Sequence, residues 1–139
     1  MGDPENNAIR YILAELRDTR KEVRRTAVMK LGMVGGDQAV KALIRAVQND
    51  HEDLIVRGRA ALMLGKLGDL RAVEPLIQAL DAPGHQTPMY AAQALGELGD
   101  PRAVEPLRVM ANGVRDKARE AALEALKRLG YATEREPEL

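Results

Sequence analysis

His51 and Glu52 stand side by side, and an imidazole next to a carboxylate is a pairing from which metal centres and general bases are built. The remaining ligand supply is thin. His85 is the one other histidine, it falls in a separate turn-like segment, and the chain has no cysteine. A zinc or iron site needs three or four convergent ligands. Both histidines therefore read as solvated loop residues, and no metal or other cofactor is expected. Nucleophilic catalysis fares no better. Cysteine and serine are absent, which leaves Thr19, Thr26, Thr87 and Thr133 with Tyr11, Tyr90 and Tyr131 as hydroxyl carriers. None has a histidine at a spacing that supplies a base. Carboxylates such as Glu97 and Glu124 could pair in space, but solvated helix-surface charge is far commoner. No catalytic residue is expected from these types and spacings.

A run of cations offers a third chemistry. Arg17, Arg20, Lys21, Arg24, Arg25 and Lys30 fall within residues 17–30, against Asp18 and Glu22. Such an edge can contact phosphates. However, 21 Lys and Arg balance 21 Asp and Glu, so the global charge of a nucleic-acid binder is missing. A solvated helix face is the expectation here, and nucleic acid is not an expected partner. With 45% apolar and 30% charged residues the composition suits a soluble folded chain. No apolar run approaches the ~18 residues of a membrane span, and no secretion signal follows the start. A cytoplasmic protein is expected.

The elements that would carry these residues are set by an internal repeat. The segments ending in LGMVGG, LGKLGD, LGELGD and LKRLGY have leading leucines at Leu31, Leu64, Leu95 and Leu126, spaced 33, 31 and 31. A second anchor, Ala8, Ala39, Ala72 and Ala103, is spaced 31, 33 and 31. The two extra residues are placed at Gly35–Gly36 and near Asp50 and His51, both in turns, where insertions are tolerated. Within a unit, Ala72, Val73, Leu76, Ile77 and Leu80 mark one face of a first helix. Val56, Ala60, Leu64 and Leu67 mark one face of a second. Gly68, Gly99 and Gly130 fall where a helix stops on a left-handed residue, and Asp69 and Asp100 follow as N-caps. Pro75 and Pro106 require the regular helix to start late or bend after an initial turn.

Predicted helices cover about 5–17 and 20–34, 38–48 and 53–66, 71–81 and 86–98, and 102–111 and 115–129. Phe and Trp are absent, so the core must be made of Ala, Leu, Val, Ile and Met, with helices packed close. Gly65 and Gly96 sit inside second helices, where glycine costs about 1 kcal/mol against alanine. The expected reason is that the next unit comes too close for a side chain. Gly58 has no explanation at this level.

The motif LGxLGDxRAVEPLIxAL resembles the HEAT-like repeats first noted in phycobilin lyase subunits, over roughly Ile9 to Gly130. The resemblance implies an all-α fold, a right-handed alpha-alpha superhelix of four helix pairs. A single domain spans residues 1–132, with repeats at about 5–36, 37–69, 70–100 and 101–131 and a frayed tail at 133–139. The family's Asp–Arg ladder implies rungs Asp18–Arg24 and Asp50–Arg57, a partial Asn112–Arg119, and none in the third unit, where Pro88 replaces the Arg. HEAT-like deoxyhypusine hydroxylases carry iron-binding His-Glu pairs on their second helices. The matching slots here hold Arg25, Gly58, Met89 and Glu120, and none is His. The bilin lyases of the family act as paired subunits on a Cys-bearing partner, but no residue set for a tetrapyrrole is visible here.

In stacked helix pairs the second helices line the concave side. The row beside the core stripe varies between units and supplies the expected partner-binding residues: Met29, Met33, Ile55, Arg59, Leu62, Lys66, Tyr90, Gln93, Glu97, Glu124 and Arg128. The functional expectation is a non-enzymatic scaffold that binds a protein partner along this face, as a monomer with polar ends. The alternatives are an accessory or lyase-like subunit of an enzyme, or nucleic-acid binding through the basic first hairpin.

Overall fold

The computed structural model describes residues 4–113 and 116–131. These form eight α-helices without a strand: α1 (Pro4–Glu15), α2 (Lys21–Val34), α3 (Asp37–Gln48), α4 (Leu54–Leu67), α5 (Val73–Ala79), α6 (Gln86–Leu98), α7 (Val104–Ala111) and α8 (Asp116–Arg128). They pair in chain order into four units, giving an all-α solenoid of the HEAT-like kind. Among the described residues no helix is long and apolar enough to cross a membrane. The expected tail at 133–139 lies outside the described residues.

Local chemistry sets the helix ends. Gly68 (φ +72°) and Gly99 (φ +74°) stop α4 and α6 in the left-handed conformation, and each donates its N–H to the leucine carbonyl four residues back. Asp69 and Asp100 then accept from the N–H groups of Arg71 and Arg102, both at 2.9 Å. Each opens a 3-10 turn, at Leu70–Ala72 and Pro101–Ala103, that leads directly into α5 and α7. The tighter turn is what admits Pro75 and Pro106. Each falls in the first turn of its α-helix, where the missing N–H leaves no broken bond.

The apolar pattern closes one continuous core. Leu31, Leu64 and Leu95 of the second helices are fully buried, as are Leu43, Leu76 and Leu107 of the first. Ala27, Ala60, Ala91 and Ala122 are at 0% exposure, so the same small residue recurs wherever a second helix meets its neighbours. Truncating any of the six leucines to alanine would cost about 2–5 kcal/mol.

The two layers pack differently. The second helices α2, α4, α6 and α8 lie tightly against one another, while successive first helices touch lightly and α5 and α7 hardly meet. A stack that is tight on one side and splayed on the other curves toward the tight side, which places the second helices inward. Glycine permits this spacing. A Cβ on Gly65 would sit 2.8 Å from the Cα of Ala94, and one on Gly96 would sit 2.9 Å from the Cα of Ala125. The close approach expected from the sequence is thus present at both positions. Gly58 acquires a weaker form of the same role, since a Cβ there would meet Gln86 Cβ at 3.3 Å and the Tyr90 ring at 3.4 Å.

Helix propensity alone favours Gly65→Ala by about 1 kcal/mol, but overpacking against backbone outweighs it. The expected result is a net loss of about 2 kcal/mol for Gly65→Ala and less than half of that for Gly58→Ala. Urea unfolding midpoints of the two variants check it.

Candidate partner-binding surface

The second helices present two rows to solvent, related by the repeat spacing. One row is Met29, Leu62, Gln93 and Glu124, and the next is Met33, Lys66, Glu97 and Arg128. Met33, Lys66, Gln93, Glu97, Glu124 and Arg128 are exposed, Met33 at 84%. Met29, Ile55, Arg59, Leu62 and Tyr90 are half-buried. The structure thus brings all eleven sequence-selected residues onto the second-helix layer. It divides them by burial, with Met29, Ile55, Arg59, Leu62 and Tyr90 wedged between neighbours and the other six open at the surface.

Several are held in place by the helix before their own. Arg59 donates from Nη1 to the Arg25 carbonyl at 3.2 Å, tying α4 to α2. The Tyr90 ring lies over Gly58. Glu97 lies across Gly65, and the Arg128 stem lies across Gly96. The glycine steps that let the helices approach therefore also seat the exposed side chains. Lys66, Glu97 and Arg128 alternate in sign along the row, a pattern suited to a mixed-charge partner surface.

Four of the six cations of the basic hairpin are paired with carboxylates. Arg24 forms a bidentate contact with Glu52 at 2.9–3.1 Å, and Arg25 one with Asp53 at 2.8 and 2.9 Å. Arg20 pairs with Asp18 and Lys30 with Glu15. The Arg24 and Arg25 pairs clamp the first unit to the second. Asp53 also caps α4, accepting from the Val56 N–H at 3.1 Å. The Arg25 guanidinium, aided by that N–H, holds the Asp53 carboxyl down to about 2.

The implied ladder takes a different form. Arg24 donates to the backbone carbonyls of Asp18 and Thr19, while the Asp18 carboxylate goes to Arg20. Arg57 is buried and donates to the Val47 carbonyl from Nε and Nη2, at 3.2 and 3.0 Å, and Asp50 stands at 3.6 Å with 86% of its side chain exposed. Arg119 donates to the Ala111 carbonyl at 3.1 Å. Arg57 and Arg119 thus serve as C-caps for the first helix of their own unit, while Arg24 holds the loop after α1. The third unit lacks the rung. Buried Thr87, beside Pro88, instead places its hydroxyl 3.5 Å from the Leu54 carbonyl of the preceding unit.

His51 and His85 are both exposed, and among the described residues no three His, Cys, Asp or Glu side chains gather as a metal site would require. One feature of the splayed side had no signal in the sequence. An apolar cleft of about 610 Å³ opens between α5 and α7, lined by Ile77, Leu80, Pro106, Val109 and Met110. It exists because the first helices diverge, which no periodicity encodes.

With this geometry in hand, the likenesses to known proteins fall into place. Residues 9–88 match the model of HEAT repeats, and the chain belongs to that family. Residues 88–111 also match the PBS lyase HEAT-like repeat. The bilin biosynthesis protein PecE of a Nostoc species is 43% identical over 60 residues, which is 43% of this chain and 23% of that protein. A phycocyanobilin lyase subunit alpha of a Picosynechococcus species is 38% identical over 66 residues, or 44% of this chain and 25% of that one. Among solved structures, the complex of CpcE and CpcF of phycocyanin lyase from a Nostoc species matches 94% of this chain and 55% of its own. The TM-score is 0.76 and the identity 31%. Human deoxyhypusine hydroxylase, at 24% identity and a TM-score of 0.77 over 96% of this chain and 49% of its own, shares the fold. The chain spans about a quarter of the length of the curated relatives it matches.

These likenesses correct the functional expectation. A non-enzymatic scaffold, and the expectation that the chain has no part in an enzyme, are at odds with relatives named as lyase subunits. The alternative drawn from the sequence, an accessory or lyase-like subunit, fits them better. The error has a physical source: absence of a recognisable nucleophile, base or metal cluster says nothing about a reaction shared between subunits.

The depressed Asp53 carboxyl makes the clamp acid-sensitive. Its folded pKa of about 2 lies below the ordinary value of 3.8. The folded state therefore binds fewer protons than the unfolded one between them, and the stabilisation is complete above pH ~4 and lost as pH falls toward 2. Asp53→Asn keeps a cap acceptor and removes the charge. Between pH 4 and 2 the variant is expected to lose about 2 kcal/mol less stability than the parent, read from denaturant titrations at each pH.

Proposed function

We propose that this chain is a subunit of a lyase-type enzyme that handles bilins, and that it contributes by docking a companion protein along its second-helix surface. The observation that supports this most is the likeness to phycocyanin lyase, which runs along 94% of the chain at 31% identity. That structure is a complex of two different subunits, which fits a chain whose variable positions lie on one exposed layer. The four units, over residues 1–132, act as one domain. Their fixed core positions hold the stack, and Met33, Lys66, Gln93, Glu97, Glu124 and Arg128 make the contacts. Half-buried Met29, Ile55, Arg59, Leu62 and Tyr90 support that surface from beneath. On this reading the chemistry of bilin transfer belongs to the assembled pair, and the role of this chain is to position its companion.

The test uses a companion lyase subunit, phycocyanobilin and an acceptor phycocyanin subunit. The expected result is that the immobilised companion retains the chain, and that the pair attaches more bilin covalently to the acceptor than either does alone. Attachment is read by pigment fluorescence on a denaturing gel. Lys66→Glu combined with Arg128→Glu is expected to weaken retention at least 10-fold with an unchanged thermal midpoint. Absence of both retention and added attachment would contradict the proposal.

A further inference from the structure

Two observations meet at the carboxyl end of α5. Arg57 and Arg119 each donate to a carbonyl that ends the first helix of their own unit, Val47 and Ala111. Pro88 stands midway between them, 31 residues from each, and has no side-chain donor. The carbonyls that end α5 therefore receive no guanidinium from this position. The acidic half of the rung is nevertheless present. Asp81 lies 31 residues after Asp50, whose carboxylate stands 3.6 Å from Arg57. Asp81 is exposed, and among the described residues it forms no ion pair and no side-chain hydrogen bond. It also lines the apolar cleft of about 610 Å³ between α5 and α7, with Ile77, Leu80, Pro106, Val109 and Met110. Among the described residues of that lining it is the one with a charge. Val109 is 73% exposed there, more than any large apolar side chain of the second helices except Met33.

We infer that this cleft docks a segment of a partner protein that presents an arginine close to a large aliphatic side chain. The aliphatic side chain fills the space between α5 and α7, which is of a size that holds anchor side chains and small ligands. The guanidinium pairs with Asp81 and donates to the carbonyls that end α5. It supplies in trans the group that Arg57 and Arg119 supply from within their own units. Charge selects this occupant, because the polar groups at that end of the cleft, a carboxylate and helix-end carbonyls, are all acceptors. Arginine fits better than lysine, since its planar fork can hold a carboxylate and a carbonyl at once. The inference rests neither on bilin handling nor on the second-helix surface. Its readout is specific to residues of the first-helix layer, so either proposal can fail alone.

The probes are synthetic nonapeptides of glycine and serine that carry one leucine and one arginine, at spacings from adjacent to four residues apart. Each is titrated into the isotope-labelled full chain while amide NMR shifts are followed. For at least one spacing, saturable shifts are expected at Leu80, Asp81, Val109 and Met110, with Lys66 and Glu97 unmoved. Lysine in place of the arginine is expected to weaken binding at least fivefold, and glutamate to abolish it. Asp81→Asn is expected to erase the preference for arginine over lysine. Pro88→Arg places the guanidinium within the chain. It is expected to raise the thermal midpoint and to erase the same preference, while the leucine-dependent shifts persist. No saturable shift in the cleft at any spacing would overturn the inference, as would equal binding of the arginine and lysine peptides by the parent. So would a folded Asp81→Asn or Pro88→Arg chain that keeps the parent's preference. Binding that appears only after residues 132–139 are removed would assign the cleft to the chain's own tail. Doubling of the mass on concentration, reversed by Val109→Glu, would assign it to a second copy. Either result overturns the inference of a separate partner.

Discussion

Everything in this solenoid hangs on how near one second helix can come to the next. At Gly65 and Gly96 the neighbouring backbone occupies the space a Cβ would need. That spacing has consequences on both sides of the molecule. It fixes a core of alanine and aliphatic side chains, chiefly leucine and valine, with no large ring. It also sets the curvature, since the first helices contain no glycine step and lie further apart. The exposed layer is a by-product, in which side chains such as Glu97 and Arg128 lie across the steps of the preceding helix.

Polar groups then finish what packing begins. The buried Arg57 guanidinium satisfies the end of α3 through the Val47 carbonyl, and Arg119 does the same for α7. Between the first and second units, where the step meets a flexible methionine and no alanine, two bidentate Arg–carboxylate pairs bridge the seam. The third unit has no such arginine cap, with Pro88 in the arginine slot, and is tied to the second by the Arg71–Asp37 pair at 2.8 Å and by a threonine hydroxyl against the previous helix. The seams are thus chemically unequal although the backbone repeat is regular.

Much of the fold was legible in the residues. Two anchors with matching offsets located the units, Gly68 and Gly99 marked the stops, and Pro75 and Pro106 announced a late helical start that takes the form of a 3-10 turn. Periodicity also selected the second-helix row, because a fixed core stripe leaves a fixed neighbour. It could not assign exposure within that row, which depends on how far Tyr90 or Ile55 leans into the gap beside it. Long-range pairing was illegible for the same reason. Whether Arg24 reaches Asp18 or Glu52 depends on the offset between units, and that is a property of packing. Function was the least legible, since the repeat specifies a stack and leaves chemistry to whatever assembles on it.

The account places greatest local stability in the glycine-stepped layer, so native-state hydrogen exchange tests it most directly. Amides of α4 and α6 should exchange only through global unfolding, with α1 and α7 opening well before them. Exchange in α4 and α6 as fast as in α1, or greater protection along the first helices, would contradict the claim that second-helix contact holds the molecule together.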